Sequence, residues 1–337
     1  MHEHLTSSRK LTIFYIAGHG RSGSTLLEAI LGQARGVVAV GELRHIWQRG
    51  LDENQLCGCG SPFKRCSFWS SVLQKVFGSL STLDPLALKE LKWRVDRTRY
   101  IPQMLLTAKG SCYEKRFQRY LDIRSRLYNA ISDVSGARII VDSSKDPSSL
   151  YALSKQPNVR VCVIHLVRDS RAVSYSWQRK KRRPEITSAV AYMPTFPPSR
   201  VAIEWMMRNL IVELSRPLVS AYTLVRYEDF VVEPSRVVNN LLASVGVGPL
   251  PASIVSESRA RLARANHTVA GNPIRFGRGE LAIRRDDEWR KKLPACQRLA
   301  VTMLTLPGLL RYGYLDLWRR PLTAGRGTPP TPNGAGS

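Results

Sequence analysis

One segment constrains the fold of this chain more than any other: LTIFYIA (Leu11–Ala17), then Gly18-His-Gly-Arg-Ser-Gly-Ser-Thr25, then Leu26, Leu27, Ile30 and Leu31 at helical spacing. A near-continuous apolar run marks a strand covered on both faces, as in a parallel sheet. The glycines let the backbone curl closely around a ligand. The first N–H groups of the following helix lack intrahelical partners and lie at the positive end of its dipole, which suits an anion. The spacing Gly18-x4-Gly23 matches a triphosphatase phosphate loop, but Ser24 stands where the lysine that pairs the terminal phosphates should be. Its absence counts against ATP or GTP hydrolysis. Arg21 supplies a cation within the loop instead.

Four more strands are predicted: GVVAV, ending at Gly41 and Glu42; ARIIVD, ending at Asp142; VRVCVIHLV, ending at Arg168; and AYTLVRYEDF. A long amphipathic helix is expected near Ser199–Ser220, and another is expected to start at Pro234. Residues from about 48 to 136 read as a mostly helical insertion, with apolar residues at three- and four-residue steps in SFWSSVLQKVF and RYLDIRSRLYNAI. Strands alternating with helices predict an α/β fold, a P-loop-like doubly wound parallel sheet flanked by helices. The expected organisation is one domain over residues 1–320. The Pro/Gly/Thr-rich stretch 321–337 has little to bury and is expected to be a disordered tail.

Charge bounds the partners. The net charge of +25, from 51 Lys and Arg against 26 Asp and Glu, favours anions such as nucleotides, nucleic acid, anionic lipid or acidic glycans. No base-stacking aromatic pattern supports nucleic acid, and none is expected as a partner. No apolar run approaches the ~18 residues of a membrane span. The short apolar run at the N-terminus ends in Gly and Arg with no cleavage site, so a strand fits better than a signal peptide, and the cytoplasm is the expected location.

The phosphate loop and a second motif together resemble the sulfotransferases that use 3′-phosphoadenosine 5′-phosphosulfate (PAPS). The first element is Arg21-Ser22-Gly23-Ser24-Thr25 followed by Leu26. The second is an Arg closing a later strand with a Ser eight residues on, here Arg168 and Ser176 after VCVIHLV. The resemblance implies that Gly20, Arg21, Ser22, Gly23, Ser24, Thr25 and Leu26 hold the 5′-phosphosulfate, and that Arg168 and Ser176 grip the 3′-phosphate. Ser174 is the alternative if the helix starts differently. HTVAGNPIRF, from His267, is similar to a loop in bacterial members, which implies that Arg275, with Arg278, closes over the nucleotide. DDEWRKKL, with Trp289, resembles the family's C-terminal segment, where the tryptophan reads as core or as an adenine stack.

Gly41-Glu42 matches a G-E pair of the carbohydrate and tyrosylprotein branches, which implies Glu42 as the base that deprotonates the acceptor, with His45 and His19 in reserve. Lys145, in SSKDP, resembles a lysine that assists the leaving group, a task Arg21 would share. The expected reaction moves a sulfuryl group to a hydroxyl on a carbohydrate, glycolipid or other small metabolite, with no metal required. The runner-up is a degenerate P-loop kinase, supported by RIIVD as a magnesium-binding strand ending at Asp142; a basic nucleic-acid binder stands third.

Cys57, Cys59 and Cys66 form a C-x-C-x6-C cluster just after Glu42. Three ligands fall one short of a zinc site, and Cys112 is the candidate fourth. Reduced thiols are the preferred reading, with zinc and a disulfide open as alternatives.

Overall fold

The computed structural model describes residues 10–315, apart from 80–82, 107 and 188. The expected C-terminal tail lies outside the described residues. In chain order, β1 (Leu11–Gly18) leads into α1 (Ser24–Leu31) and β2 (Val37–Gly41). A π-helical turn (Ile46–Asp52) follows, then α2 (Ser67–Phe77), α3 (Pro85–Val95), α4 (Ile101–Leu106) and α5 (Cys112–Ser135). Next come β3 (Ile139–Lys145), α6 (Pro147–Ser154), β4 (Val159–Val167), α7 (Ser170–Gln178), α8 (Pro198–Leu214) and β5 (Ala221–Arg226). After them lie α9 (Tyr227–Val232), α10 (Pro234–Ala243), the hairpin strands β6 (Arg259–Leu262) and β7 (Gly279–Ala282), α11 (Trp289–Lys292) and α12 (Ala295–Arg311).

The five main strands form one parallel sheet in the order β2-β3-β1-β4-β5, with β1 at its centre. Its side chains alternate between two cores, as strand geometry requires. Ile13, Tyr15 and Ala17 pack with residues of α2, α5 and α6, whereas Phe14 and Ile16 pack with residues of α1, α9 and α10. Both faces are therefore covered, which is why β1 reads as an unbroken apolar run. The predicted doubly wound parallel α/β sheet is what the chain adopts.

Three boundaries differ from expectation. β3 continues past Asp142 to Lys145, because buried partners satisfy its polar residues: Tyr128 donates to Asp142, and Ser143 donates to Glu28. β5 stops at Arg226 rather than running through Phe230. Glu228 and Asp229 stand in the first turn of α9, where carboxylates favour a helix start. α8 ends at Leu214 rather than Ser220, since Pro217 in the following turn cannot continue an α-helix.

Candidate active site

The C-terminal tips of the parallel strands open on a cleft of about 720 Å³, the usual position for ligands in open α/β sheets. β1 and β4 are neighbours, paired up to Gly18 and Leu166. Their loops therefore meet, and Ser24 and Arg168 line the same cleft.

Glycine is required at two points of the first loop. Gly18 has φ 127°, and a Cβ there would lie 2.4 Å from the Leu166 carbonyl oxygen. Gly23 precedes α1 with φ 88°, and its Cβ would lie 2.5 Å from the Tyr227 ring. Of the three non-glycine residues in this left-handed conformation among the described residues, two belong to the cleft: Arg21 at φ 69° and Lys145 at φ 62°. Each costs about 1 kcal/mol or more, and such strain gathers at functional sites. Both side chains line the cleft.

The Arg21 guanidinium lies over the Trp177 ring, 4.9 Å from its centroid. Its two terminal nitrogens are buried and have no hydrogen-bond partner among the described residues; the same holds for the Ser22 hydroxyl. Burial lowers the Arg21 pKa. A buried, unsatisfied guanidinium is costly, so these donors are poised for an anion. Ser22 itself does not line the cleft, unlike Gly20, Arg21, Gly23, Ser24, Thr25 and Leu26.

Arg168 closes β4 and is 5 % exposed. Its guanidinium lies 4.5 Å from the Tyr227 ring centroid and donates to the Arg21 carbonyl at 3.1 Å and the Asp286 carbonyl at 3.2 Å, while the Asp286 carboxylate sits 3.2 Å away. Its Nε has no partner among the described residues. The adjacent Asp169 is occupied elsewhere, capping α7 and pairing with Arg171. Ser176 lines the cleft from α7, whereas Ser174 does not and turns its hydroxyl to the Pro198 carbonyl.

Glu42 follows β2 and Lys145 ends β3. Lys145 Nζ donates to Glu42 Oε1 at 2.7 Å and to the Ser143 carbonyl at 2.8 Å. His45 Nε2 lies 3.4 Å from Glu42 Oε2. Burial alone would raise the Glu42 pKa, but Lys145, His45 and Arg49 outweigh it and hold the carboxyl well below its usual range. Burial pushes His45 down to about 4, so its ring is neutral at physiological pH. His19 is also lowered by burial, and its Nε2 lies 3.9 Å from Glu204.

Arg275 does not take its expected place. It is 1 % exposed, donates to the carbonyls of Thr268 (2.6 Å) and Leu56 (2.8 Å), and does not line the cleft. It ties its own loop to the segment before α2. Its neighbours Asn272 and Ile274 face the cleft instead. Arg278 likewise donates to the Gly58 carbonyl. Trp289 packs with Ala172 and Leu293 beneath Arg171, as core rather than cleft wall. Asp142, the carboxylate on which a magnesium site would rest, is fully buried and accepts from Tyr128 and Ser144.

Two features escaped the sequence reading. Glu28 projects from α1 and accepts from the Gly41 N–H and the Ser143 hydroxyl, so it ties together the strand ends that carry Glu42 and Lys145. Burial raises its pKa to about 8. The only sequence signal was a carboxylate among the apolar residues of STLLEAIL. The outer cleft also carries Arg44, Arg49, Lys181, Arg183, Arg200 and Arg208 beside Met193, Phe196 and Met207. The KKRR run at 180–183 hinted at part of this cationic wall.

Residues 14–250 match the profile of the Sulfotransferase family. The chain belongs to that family. Among solved structures it is similar to the sulfotransferase domain of the Synechococcus PCC 7002 olefin synthase, at 22% identity over 89% of this chain and 96% of that one, with a TM-score of 0.49. It is also similar to the sulfotransferase domain from the curacin biosynthetic pathway, at 18% identity over 88% of this chain and 96% of that one, with a TM-score of 0.43. No curated protein sequence matches. Among the described residues, no helix is long and apolar enough to cross a membrane.

Proposed function

We propose that this protein transfers a sulfuryl group from PAPS to the hydroxyl of a carbohydrate, glycolipid or other small acceptor. One observation carries the reading: the unpartnered guanidinium of Arg21 and the strand-tip guanidinium of Arg168 share one cleft with the ion pair of Glu42 and Lys145. Gly20–Leu26 and the start of α1 would receive the 5′-phosphosulfate, and Arg168 with Ser176 the 3′-phosphate. PAPS, when bound, supplies the sulfuryl group and departs as 3′-phosphoadenosine 5′-phosphate.

The remaining work falls to side chains. Glu42 is ionised and takes the proton from the acceptor hydroxyl. That neutralises its pairing with Lys145, whose ammonium is then free to meet the charge developing on the departing phosphate oxygen, together with Arg21. The mixed cationic and apolar outer wall would hold the acceptor.

Calorimetric titration tests the reading. Binding of 3′-phosphoadenosine 5′-phosphate without metal, in preference to ATP with magnesium, is the expected result. Indifference to the 3′-phosphate would overturn it, and a requirement for magnesium and a triphosphate would favour a kinase.

A further inference from the structure

Three cysteines from one loop and a histidine from another converge outside the cleft. Cys57, Cys59 and Cys66 precede α2, and His267 lies 201 residues beyond Cys66. Their ligand atoms all lie within 4.8 Å of one another. Cys59 Sγ is 3.7 Å from Cys66 Sγ, and His267 Nδ1 is 3.3 Å from Cys66 Sγ and 3.9 Å from Cys57 Sγ. Tetrahedral zinc, with bonds of ~2.3 Å to sulfur and ~2.0 Å to nitrogen, places its sulfurs about 3.8 Å apart and sulfur from nitrogen about 3.5 Å apart. The separations of 3.7, 3.3 and 3.9 Å lie close to those edges, and no pair of ligand atoms in the group is more than 4.8 Å apart. A disulfide needs its sulfurs ~2.0 Å apart, would use two of the three thiols, and gives the histidine no role.

The surroundings hold these groups in place. Phe68 stacks on the His267 ring at 4.6 Å, and Trp69 Nε1 donates to the His267 carbonyl at 2.8 Å, so Nδ1 is aimed at the thiols. Gly58, between two of the cysteines, donates to the Thr268 carbonyl at 2.9 Å; a Cβ there would lie 1.8 Å from the Asn266 side chain. Cys57 and Cys66 are buried. Cys112, the fourth ligand suggested by the sequence, is exposed at the start of α5 and is not in the group.

We infer that Cys57, Cys59, Cys66 and His267 bind one zinc ion that clamps the loop after β6 to the segment before α2. Four protein ligands leave no open position, so the site is structural rather than catalytic. Its reach extends to the cleft. The clamped loop lines the cleft at Gly271, Asn272 and Ile274, and its Val269 N–H donates to the Val40 carbonyl at 2.9 Å, two residues before Glu42.

The test uses the full chain, purified reduced and without chelator. Elemental analysis should find one zinc per chain, and replacement by cobalt should give the intense visible bands of a tetrahedral thiolate site. Cys66→Ser and His267→Ala should lose the metal and melt at lower temperature, whereas Cys112→Ser should keep both metal and stability. Weak, octahedral cobalt bands, a disulfide among the three cysteines in anaerobically handled protein, or full zinc retention by both His267→Ala and Cys66→Ser would each overturn the site. The cobalt spectrum is read on the unaltered protein, so it decides even if a variant fails to fold.

Discussion

Lys145 Nζ and Glu42 Oε1 are 2.7 Å apart, so the lysine at the end of β3 and the carboxylate after β2 form one ion pair across neighbouring strands. This pairing fixes the charge state from which any proton transfer at Glu42 must begin.

Glu42→Gln keeps an oxygen for Lys145 but cannot accept a proton. Turnover should fall ~100-fold or more, the usual scale for a lost general base, while calorimetric affinity for 3′-phosphoadenosine 5′-phosphate stays the same. Near-normal turnover would move the base to His45 or His19.

The pH dependence follows from the sign of the Glu42 shift. Its folded pKa is depressed, so the stabilisation from the pair is fully present above the ordinary value of about 4.3 and is lost as pH falls through the folded value. The acid limb of kcat/KM should therefore lie below about pH 4.3. Lys145→Met removes the main partner and should move that limb upward. Identical acid limbs in the two proteins would contradict the coupling.

Glu28 has the opposite sign. Burial raises its pKa to about 8, so the folded state holds a proton that the unfolded chain releases above about 4.3. Its contribution is fully present below that pH and declines as pH rises toward 8. Glu28→Gln should flatten this decline. Thermal melts at pH 5, 6.5 and 8 should show wild type losing more stability than the variant, and parallel curves would refute the shift.

Arg168→Ala should weaken binding of 3′-phosphoadenosine 5′-phosphate by about 10- to 100-fold, from charge-assisted hydrogen bonds worth ~1.5–3 kcal/mol. A nucleotide without the 3′-phosphate should bind both proteins alike. Arg168→Lys should recover the loss only in part, because an ammonium lacks the planar fork. Equal losses for both nucleotides would make Arg168 structural, through its contacts to Arg21 and Asp286.

The sheet and the phosphate loop were legible because the physics is local: strands buried on both faces leave apolar runs, and a loop pressed against Leu166 and Tyr227 leaves glycines. The limits are equally physical. Arg275 reads as a free cation until the fold supplies carbonyls from Leu56 and Thr268. His267 gives no hint of Cys66, because only the folded chain brings the two together. Nor does Glu28 reveal its buried tether, since Gly41 and Ser143 reach it from two separate strands.

The left-handed backbone at Arg21 and Lys145 has a consequence for engineering. Replacing Arg21 by glycine should relax the main chain by about 1 kcal/mol and remove a guanidinium buried without a hydrogen-bond partner among the described residues, partly offset by the freer unfolded chain. At Lys145 the same relaxation is outweighed, because the largely buried Glu42 carboxylate would lose its ion-pair partner. A screen that rewards heat resistance alone would therefore favour the exchange at Arg21 and reject it at Lys145, yielding sturdier molecules stripped of the phosphate-loop cation.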